Sequence, residues 1–549
     1  MARTVTLRPW QKAALERLAA STVTSPDFLA VATPGAGKTT FALTAARQAL
    51  AAGAGLRLIV VVPTAHLKLQ WARAASNFDL HLDWRWSAAD GGLPRDMHGV
   101  VTTYQQVATS AGVLRGLAGN AMVIFDELHH AAEDRAWGDA LRTAFDPAPR
   151  RLALSGTPFR SDTHAIPFVR YDGDEAVPDY EYGYGDALAD GGVVRPVYFP
   201  RVDGMMEWSA PDGRVHAHGF DDPLQAALAS QRLRTAYSVE GEWLPHVLRQ
   251  AHEQLLTIRR RQPNAGGLVI ATDQDHAKGI ARLLADRLGV RAVVATSDDP
   301  DASVRISHFA AAANPWIVAV RMVAEGVDIP RLRVGVFATT TTTELFFRQA
   351  VGRLVRWSPG SSGQKSFLYI PDEPRLRARA LTIAEQRRHS LRHEDREITL
   401  LFPREDALPP EEQISLFAPI SAVPVIDGVD HPPWLLEGEM TPEPVADAAL
   451  TIALPPLPTS GRVGGAGGAG GVVAEGRTRR EHKEHLRKAN AETGRAIARH
   501  TGMTHAGVNA ELNRATGVAK ITEATVEQLQ RRLDKADAWL RQASGRRVG

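Results

Sequence analysis

Between the apolar run Phe28-Leu29-Ala30-Val31 and the helix-forming Phe41-Ala42-Leu43-Thr44-Ala45-Ala46 lies Ala32-Thr33-Pro34-Gly35-Ala36-Gly37-Lys38-Thr39-Thr40. The order strand, glycine loop, helix commits this part of the chain to a sheet whose strand ends turn directly into helices. Glycines at 35 and 37 let the backbone turn its N–H groups around phosphate oxygens, Lys38 can reach terminal phosphates, and the Thr39 hydroxyl can ligate magnesium. Ala32 stands where the usual pattern has its first glycine, so the flanking strand and helix carry much of the assignment. Pro34 to Thr40 is a candidate nucleotide-binding loop.

Other apolar runs repeat the arrangement. Leu7-Arg8-Pro9-Trp10-Gln11 opens an amphipathic helix ahead of the first strand. The Gln11 amide can donate to and accept from an adenine edge at once, or it can be a solvated residue at a helix start. Arg57 to Val62 is a continuous apolar strand followed by Pro63-Thr64, and Val100 to Tyr104 ends in the hydroxyls Thr102 and Thr103. Met122-Val123-Ile124-Phe125 delivers Asp126-Glu127-Leu128-His129-His130 to a strand end. Beside a phosphate loop, two such carboxylates divide the labour of hydrolysis: Asp126 holds magnesium through water, and Glu127 orients and deprotonates the attacking water. His129 and His130 have metal-ligand spacing, but a nucleotide site explains them better. Arg151 to Leu154 ends in Ser155-Gly156-Thr157-Pro158, whose short hydroxyls can bridge the nucleotide site to a neighbouring groove. Alternating strands and helices with polar residues at the strand ends imply a parallel, doubly wound sheet over residues 1–165.

Residues 166–262 read as a connector with a helical stretch from Asp222 to Arg261. A second alternating series starts at Gly267-Leu268-Val269-Ile270-Ala271-Thr272 and has no phosphate loop. It supplies Glu325-Gly326-Val327-Asp328 and, on a helix, Arg348-Gln349-Ala350-Val351-Gly352-Arg353-Leu354-Val355-Arg356. Arg353 and Arg356 are three apart, so both guanidinium groups can face one target. Gly352 carries a helix penalty that a merely solvated face has no reason to bear.

In their order along the chain, Gln11, Ala32 to Thr39, Pro63-Thr64, Thr102-Thr103-Tyr104, Asp126-Glu127-Leu128-His129, Ser155-Gly156-Thr157-Pro158, Glu325 to Asp328 and Gln349-x-x-Gly352-Arg353-x-x-Arg356 resemble superfamily 2 helicases of the DExH type. The resemblance spans roughly residues 5–375 and is nearest the branch of restriction-enzyme motor subunits and excision-repair helicases. It implies an α/β protein with two RecA-like parallel-sheet domains in tandem, ATP in the cleft between them and nucleic acid across the top of both. Carried over, it implies that Lys38, Thr39 and Asp126 hold MgATP and that Glu127 is the base. Gln349, Arg353 and Arg356 would complete the site, and Gly326 and Asp328 would lie at the nucleotide, Asp328 on its ribose. Thr64, Thr103, Ser155, Thr157 and Thr272 become candidate contacts to a phosphate backbone.

Past this span the composition changes. Residues 403–458 hold 12 prolines, and a Gly/Ala run follows from Gly464 to Gly471, so 403–476 reads as a mobile linker with few contacts, in which Leu416-Phe417-Ala418 is a candidate docking point. From Arg477 to the end there are 16 Lys and Arg against 8 Asp and Glu, an excess of +8 in a 549-residue chain whose net charge is +2. This basic, all-α stretch, 477–549, points to a polyanionic partner. Ala498, Gly502 and Val508 have helix-turn-helix spacing, and a plain three-helix packing module fits equally well. The absence of cysteine removes disulfides and thiolate metal sites, and no apolar run spans a membrane, so a cytoplasmic protein is expected.

The reading is an ATP-dependent DNA helicase or translocase with ATP and Mg2+ as cofactors. The Leu-Arg-Pro-Trp-Gln opening favours DNA over RNA. The rivals are an RNA helicase and an ATP-dependent clamp or remodeller that separates no strands, with the C-terminal domain available to a protein partner.

Overall fold

A computed structural model describes residues 4–21, 25–53, 55–90, 93, 96–132, 135–156, 165–173, 175–210, 213–296, 299, 301–320, 329–358, 363–391, 418–424, 450–457 and 478–545. Thr157, Gly326, Asp328, Leu416 and Phe417 fall outside these residues.

Two parallel sheets organise the molecule. The first has seven strands in the order Tyr180–Tyr182, Asp27–Ala32, Arg150–Ser155, Ala121–Phe125, Arg57–Val62, Gly99–Thr103, Leu82–Asp83, every pairing parallel. A strand buried on both faces needs apolar residues on each, as in Asp27–Ala32: Phe28, Ala30 and Ala32 pack on one side while Leu29 and Val31 pack on the other. In the second sheet the order is Val197–Tyr198, Ser366–Pro371, Leu332–Ala338, Gly266–Ala271, Trp316–Ala319, Ala292–Ala295, again all parallel. One continuous apolar cluster runs from Phe28 and Val60 of the first unit to Phe347 and Ile370 of the second. The chain is thus an α/β protein of two RecA-like parallel-sheet units followed by a helical C-terminal unit.

The stretch 166–262 is woven into both units. Tyr180–Tyr182 forms the edge strand of the first sheet beside Asp27–Ala32, and Val197–Tyr198 lies at the edge of the second. Gly204–Ser209 and Val215–Gly219 build a small antiparallel sheet packed through Met206 and Trp208 on Trp243 and Phe220.

The proline-rich segment corrects the expectation of few contacts. Ala418–Pro424 adds a third strand to that small sheet, and Leu450–Ala453 pairs antiparallel with the N-terminal strand Thr4–Leu7. Pro419 and Pro424 are tolerated in the first because it is an edge strand.

Three helices, Arg479–Thr501, His505–Thr516 and Val526–Gly545, form the C-terminal unit. Gly502 ends the first in the left-handed conformation (φ 73°), and the Thr504 hydroxyl caps the second. Inside, the buried Arg532 guanidinium donates to three asparagine oxygens, at Asn490, Asn509 and Asn513. The first turns of the first helix lie against the first unit. Arg480 pairs with Asp83 at 3.0 Å and Lys483 with Asp96 at 2.8 Å, while Asp96 also accepts the Val526 N–H at 3.1 Å. Asp96 therefore caps a helix of another unit, and this charge is neutralised within the chain. No described helix is long and apolar enough to cross a membrane.

Candidate functional site

The site forms where strand ends of the first sheet meet one helix of the second unit. Gly35 (φ 85°) and Gly37 (φ 93°) adopt left-handed conformations that bend the loop around an open centre before the helix Lys38–Ala52 begins. At Gly37 a Cβ would lie 2.7 Å from Gln11 Nε2, so the position requires glycine for space as well as for φ. Gln11 directs its amide at the protein: Nε2 donates to Gly37 O at 2.9 Å, and Oε1 accepts from Arg8 N at 2.8 Å. Lys38 Nζ donates to Ala32 O at 3.1 Å and lies 3.4 Å from Glu127 Oε1.

Asp126 and Glu127 follow the strand Ala121–Phe125. Trp71 Nε1 donates to Asp126 Oδ2 at 2.7 Å, and the Tyr104 hydroxyl donates to the Asp126 carbonyl at 3.0 Å. Glu127 has φ 48°, an uncommon backbone for a residue with a Cβ, and its Oε2 accepts the Gly156 N–H at 2.9 Å. Burial and the neighbouring Glu127 charge raise the pKa of Asp126. At Glu127 burial acts in the same upward sense, but Lys38, His129 and the Gly156 N–H outweigh it and hold the carboxylate low. Glu127 is therefore charged at neutral pH.

His129, 5% exposed, joins the two units. Gln349 Nε2 lies 3.1 Å from His129 Nε2, and Ser155 Oγ is 3.3 Å from Nδ1. On its other side His129 Nδ1 lies 3.7 Å from Glu127 Oε2, so the ring stands between Glu127 and the second unit's Gln349. Gly352 supplies the second contact: a Cβ there would stand 2.6 Å from Pro34 Cγ, so only glycine lets the helix Glu344–Leu354 approach the loop this closely. Arg356 supplies a third, its Cγ 3.6 Å from where a Gly35 Cβ would be. Arg353 lies in the last turn of the same helix.

The residues present fit a magnesium-bound nucleoside triphosphate. A left-handed glycine cradle, one lysine and a helix N-terminus suit polyphosphate, and the Thr39 hydroxyl with the Asp126 carboxylate suits an ion that keeps most of its ligands as water and phosphate. Among the described residues no group of three or more His, Cys, Asp or Glu could hold a metal ion by itself.

The expected backbone contacts scatter. Ser155 is fully buried against His129, the Thr103 hydroxyl caps the helix Tyr104–Ala118, and Thr272 Oγ1 donates to Ala338 O at 3.3 Å. Thr64 stands at the N-terminus of the helix Ala65–Ser76. Trp71 is a residue at this site that sequence reasoning missed, and it gave Tyr104, Arg8 and His129 no individual role. The signal available for Trp71 and Tyr104 was an aromatic with a polar handle close to a motif.

Residues 4–160 match the family described as Type III restriction enzyme, res subunit. The chain is 45% identical over 400 residues to Uncharacterized protein ML1624 of Mycobacterium leprae (strain TN), covering 72% of this chain and 66% of that one. It is 45% identical over 399 residues to Uncharacterized protein Rv2917 of Mycobacterium tuberculosis (strain ATCC 25618 / H37Rv), covering 71% and 65%. It thus spans slightly under two thirds of the curated relatives it matches. A structure assigned to an HsdR subunit of a type I restriction enzyme from Vibrio vulnificus YJ016 is 19% identical with a TM-score of 0.46, over 66% of this chain and 63% of that one. The ATP-dependent Type ISP restriction-modification enzyme LlaBIII bound to DNA is 16% identical with a TM-score of 0.45, over 69% of this chain and 30% of that one.

Proposed function

We propose, on the premise that a chain carrying this domain is a superfamily 2 helicase motor, that the protein is an ATP-dependent DNA helicase or translocase whose two units close and open along a strand. The observation that carries this reading is the contact of the second unit's helix with the phosphate loop, through Gly352 at Pro34 and Gln349 at His129. A site divided between two bodies makes hydrolysis depend on their approach, which a motor requires.

In this reading Lys38, Thr39 and Asp126 hold MgATP in the cradle from Pro34 to Thr40, with Gln11, Gly326 and Asp328 on the nucleoside side. When bound, magnesium would neutralise charge on the phosphate oxygens. Glu127, kept ionised by Lys38 and the Gly156 N–H, orients the attacking water and takes its proton. Arg353 and Arg356 bring cationic charge to the phosphoryl group as it transfers, and Gln349 ties their helix to the first unit through His129. Thr64 and Thr103 would then be the contacts to the phosphate backbone of the nucleic acid.

ATPase activity of the full chain, compared across single-stranded DNA, duplex DNA and RNA of equal length, tests the reading. Stimulation by DNA is expected. Stimulation by RNA alone would replace it with an RNA helicase, and indifference to all three polymers would remove the motor.

A further inference from the structure

The outward carbonyls of the phosphate loop are held by three side chains from one short stretch. Arg8 Nη1 donates to Gly35 O and Ala36 O, both at 3.3 Å, Trp10 Nε1 to Ala36 O at 3.0 Å, and Gln11 Nε2 to Gly37 O at 2.9 Å. A trans peptide points its N–H opposite to its C=O, so fixing the carbonyls of 36 and 37 aims the N–H groups of Gly37 and Lys38 into the cradle. These donors begin one residue after Thr4–Leu7, and among the described residues that strand has a single strand partner, Leu450–Ala453 of the tail.

The pairing runs over four residues, from Thr4 opposite Ala453 to Leu7 opposite Leu450, and the Thr6 and Thr451 hydroxyls meet at 3.1 Å. Leu7 and Leu454 are buried in the first unit's core, with Val5, Ile452 and Leu457 packed against it. The Pro455 carbonyl accepts from Arg47 Nε at 2.9 Å. Arg47 belongs to the helix Lys38–Ala52 that the loop opens, and it is itself buried, donating to Phe78 O and facing Asp79. Residues 450–457 therefore hold the chain on both sides of the loop. A four-residue strand has little else to keep it in place, since a two-stranded ribbon needs a core beneath it.

We infer that residues 450–457 are a positioning element of the nucleotide site: seated, they fix Arg8, Trp10 and Gln11 against the loop carbonyls and so keep the phosphate-binding N–H groups aimed inward. The inference rests on the reading of the loop as a nucleotide site. It makes the proline-rich segment part of the ATP site without touching nucleotide.

The test uses the full chain with Ile452→Asp/Leu454→Asp, and separately Thr451→Pro, which disturbs the pairing without adding a core charge. Hydrogen exchange at residues 4–7 reports whether the strand has left. Equilibrium binding of a fluorescent ADP and the ATPase KM and kcat are measured in parallel. With the strand unseated, nucleotide affinity should fall roughly tenfold and KM rise to match, within the usual range of coupling between linked sites, while kcat at saturating ATP stays near wild type. Leu454→Met should restore both, and Arg8→Met should reproduce the loss with residues 4–7 still protected. Fast exchange at 4–7 with unchanged ADP affinity in either variant would overturn the inference, as would a normal affinity in Arg8→Met. If the wild-type chain itself bound no nucleotide, the functional reading would fail, and this inference with it.

Discussion

At the scale of single residues, the site depends on two backbone positions more than on any side-chain charge. Glu127 sits at φ 48° so that its carboxylate meets Lys38 and the Gly156 N–H. Glu127→Gln keeps the shape but cannot accept a proton, so ATP should still bind while turnover falls by about 10²-fold or more, the scale of general-base catalysis; steady-state ATPase beside nucleotide titration would detect either departure. Gly352 is the sharper case. Alanine would favour an isolated helix by about 1 kcal/mol, yet its Cβ would stand 2.6 Å from Pro34 Cγ. Gly352→Ala should therefore leave the melting temperature unchanged or higher and ATP binding intact, while stimulated turnover collapses. Normal turnover would show that the two units need not approach at this point. The sequence made the glycine conspicuous, because it sits where a helix former is preferred, but the clash that explains it lies more than 300 positions away. His129 was obscured for the same reason: its spacing to Glu127 is readable, whereas its contact with Gln349 exists only once two sheets are stacked.

Among the elements, the central strands were legible because a strand buried on both faces has no freedom in composition. Two edge strands of the tail were not: Ala418–Pro424 and Leu450–Ala453 are short and joined mainly through backbone. The basic helix Arg479–Thr501 shows a limit of another kind, since net charge does not say that Asp83 and Asp96 of the same chain take up part of it. This dock has a pH signature. His98 accepts the His81 N–H at Nδ1, 2.9 Å away, and burial, then Arg479, Arg57 and Arg47, lower its pKa from 6.5 to about 4. The unfolded chain takes up this proton near pH 6.5 and the folded chain only near 4, so stability should be flat above that window and fall as pH drops through it. The full effect is on the order of 3 kcal/mol. His98→Asn, whose side-chain oxygen can still accept from His81, should flatten this limb in melts taken from pH 7 to 4; an identical acid slope would place the titration elsewhere.

For the whole molecule, the tail is a fastening. Removing residues 458–549 leaves both tail strands in place and should give a folded, nucleotide-binding protein. Removing 404–549 strips Ala418–Pro424 from the small sheet, where Ala422 is buried and its carbonyl accepts the Glu242 N–H at 3.0 Å, and it also takes away the partner of Thr4–Leu7. The longer deletion should melt lower than the shorter by roughly 1 to 3 °C, the shift that 1 to 2 kcal/mol produces in a body of this size; coincident melting curves would mean the strands add nothing to the fold. Because Arg480 and Lys483 are already paired, they should contribute little to any salt dependence of DNA binding. The pairing of residue 7 with residue 450 also has a consequence in time. A ribosome adding about 5–20 residues per second needs roughly 20 to 90 seconds to make the chain between them. Through that interval the glycine loop has been synthesised but its supporting strand has no partner, so a nascent chain would hold nucleotide more weakly until residues 450–457 have been made.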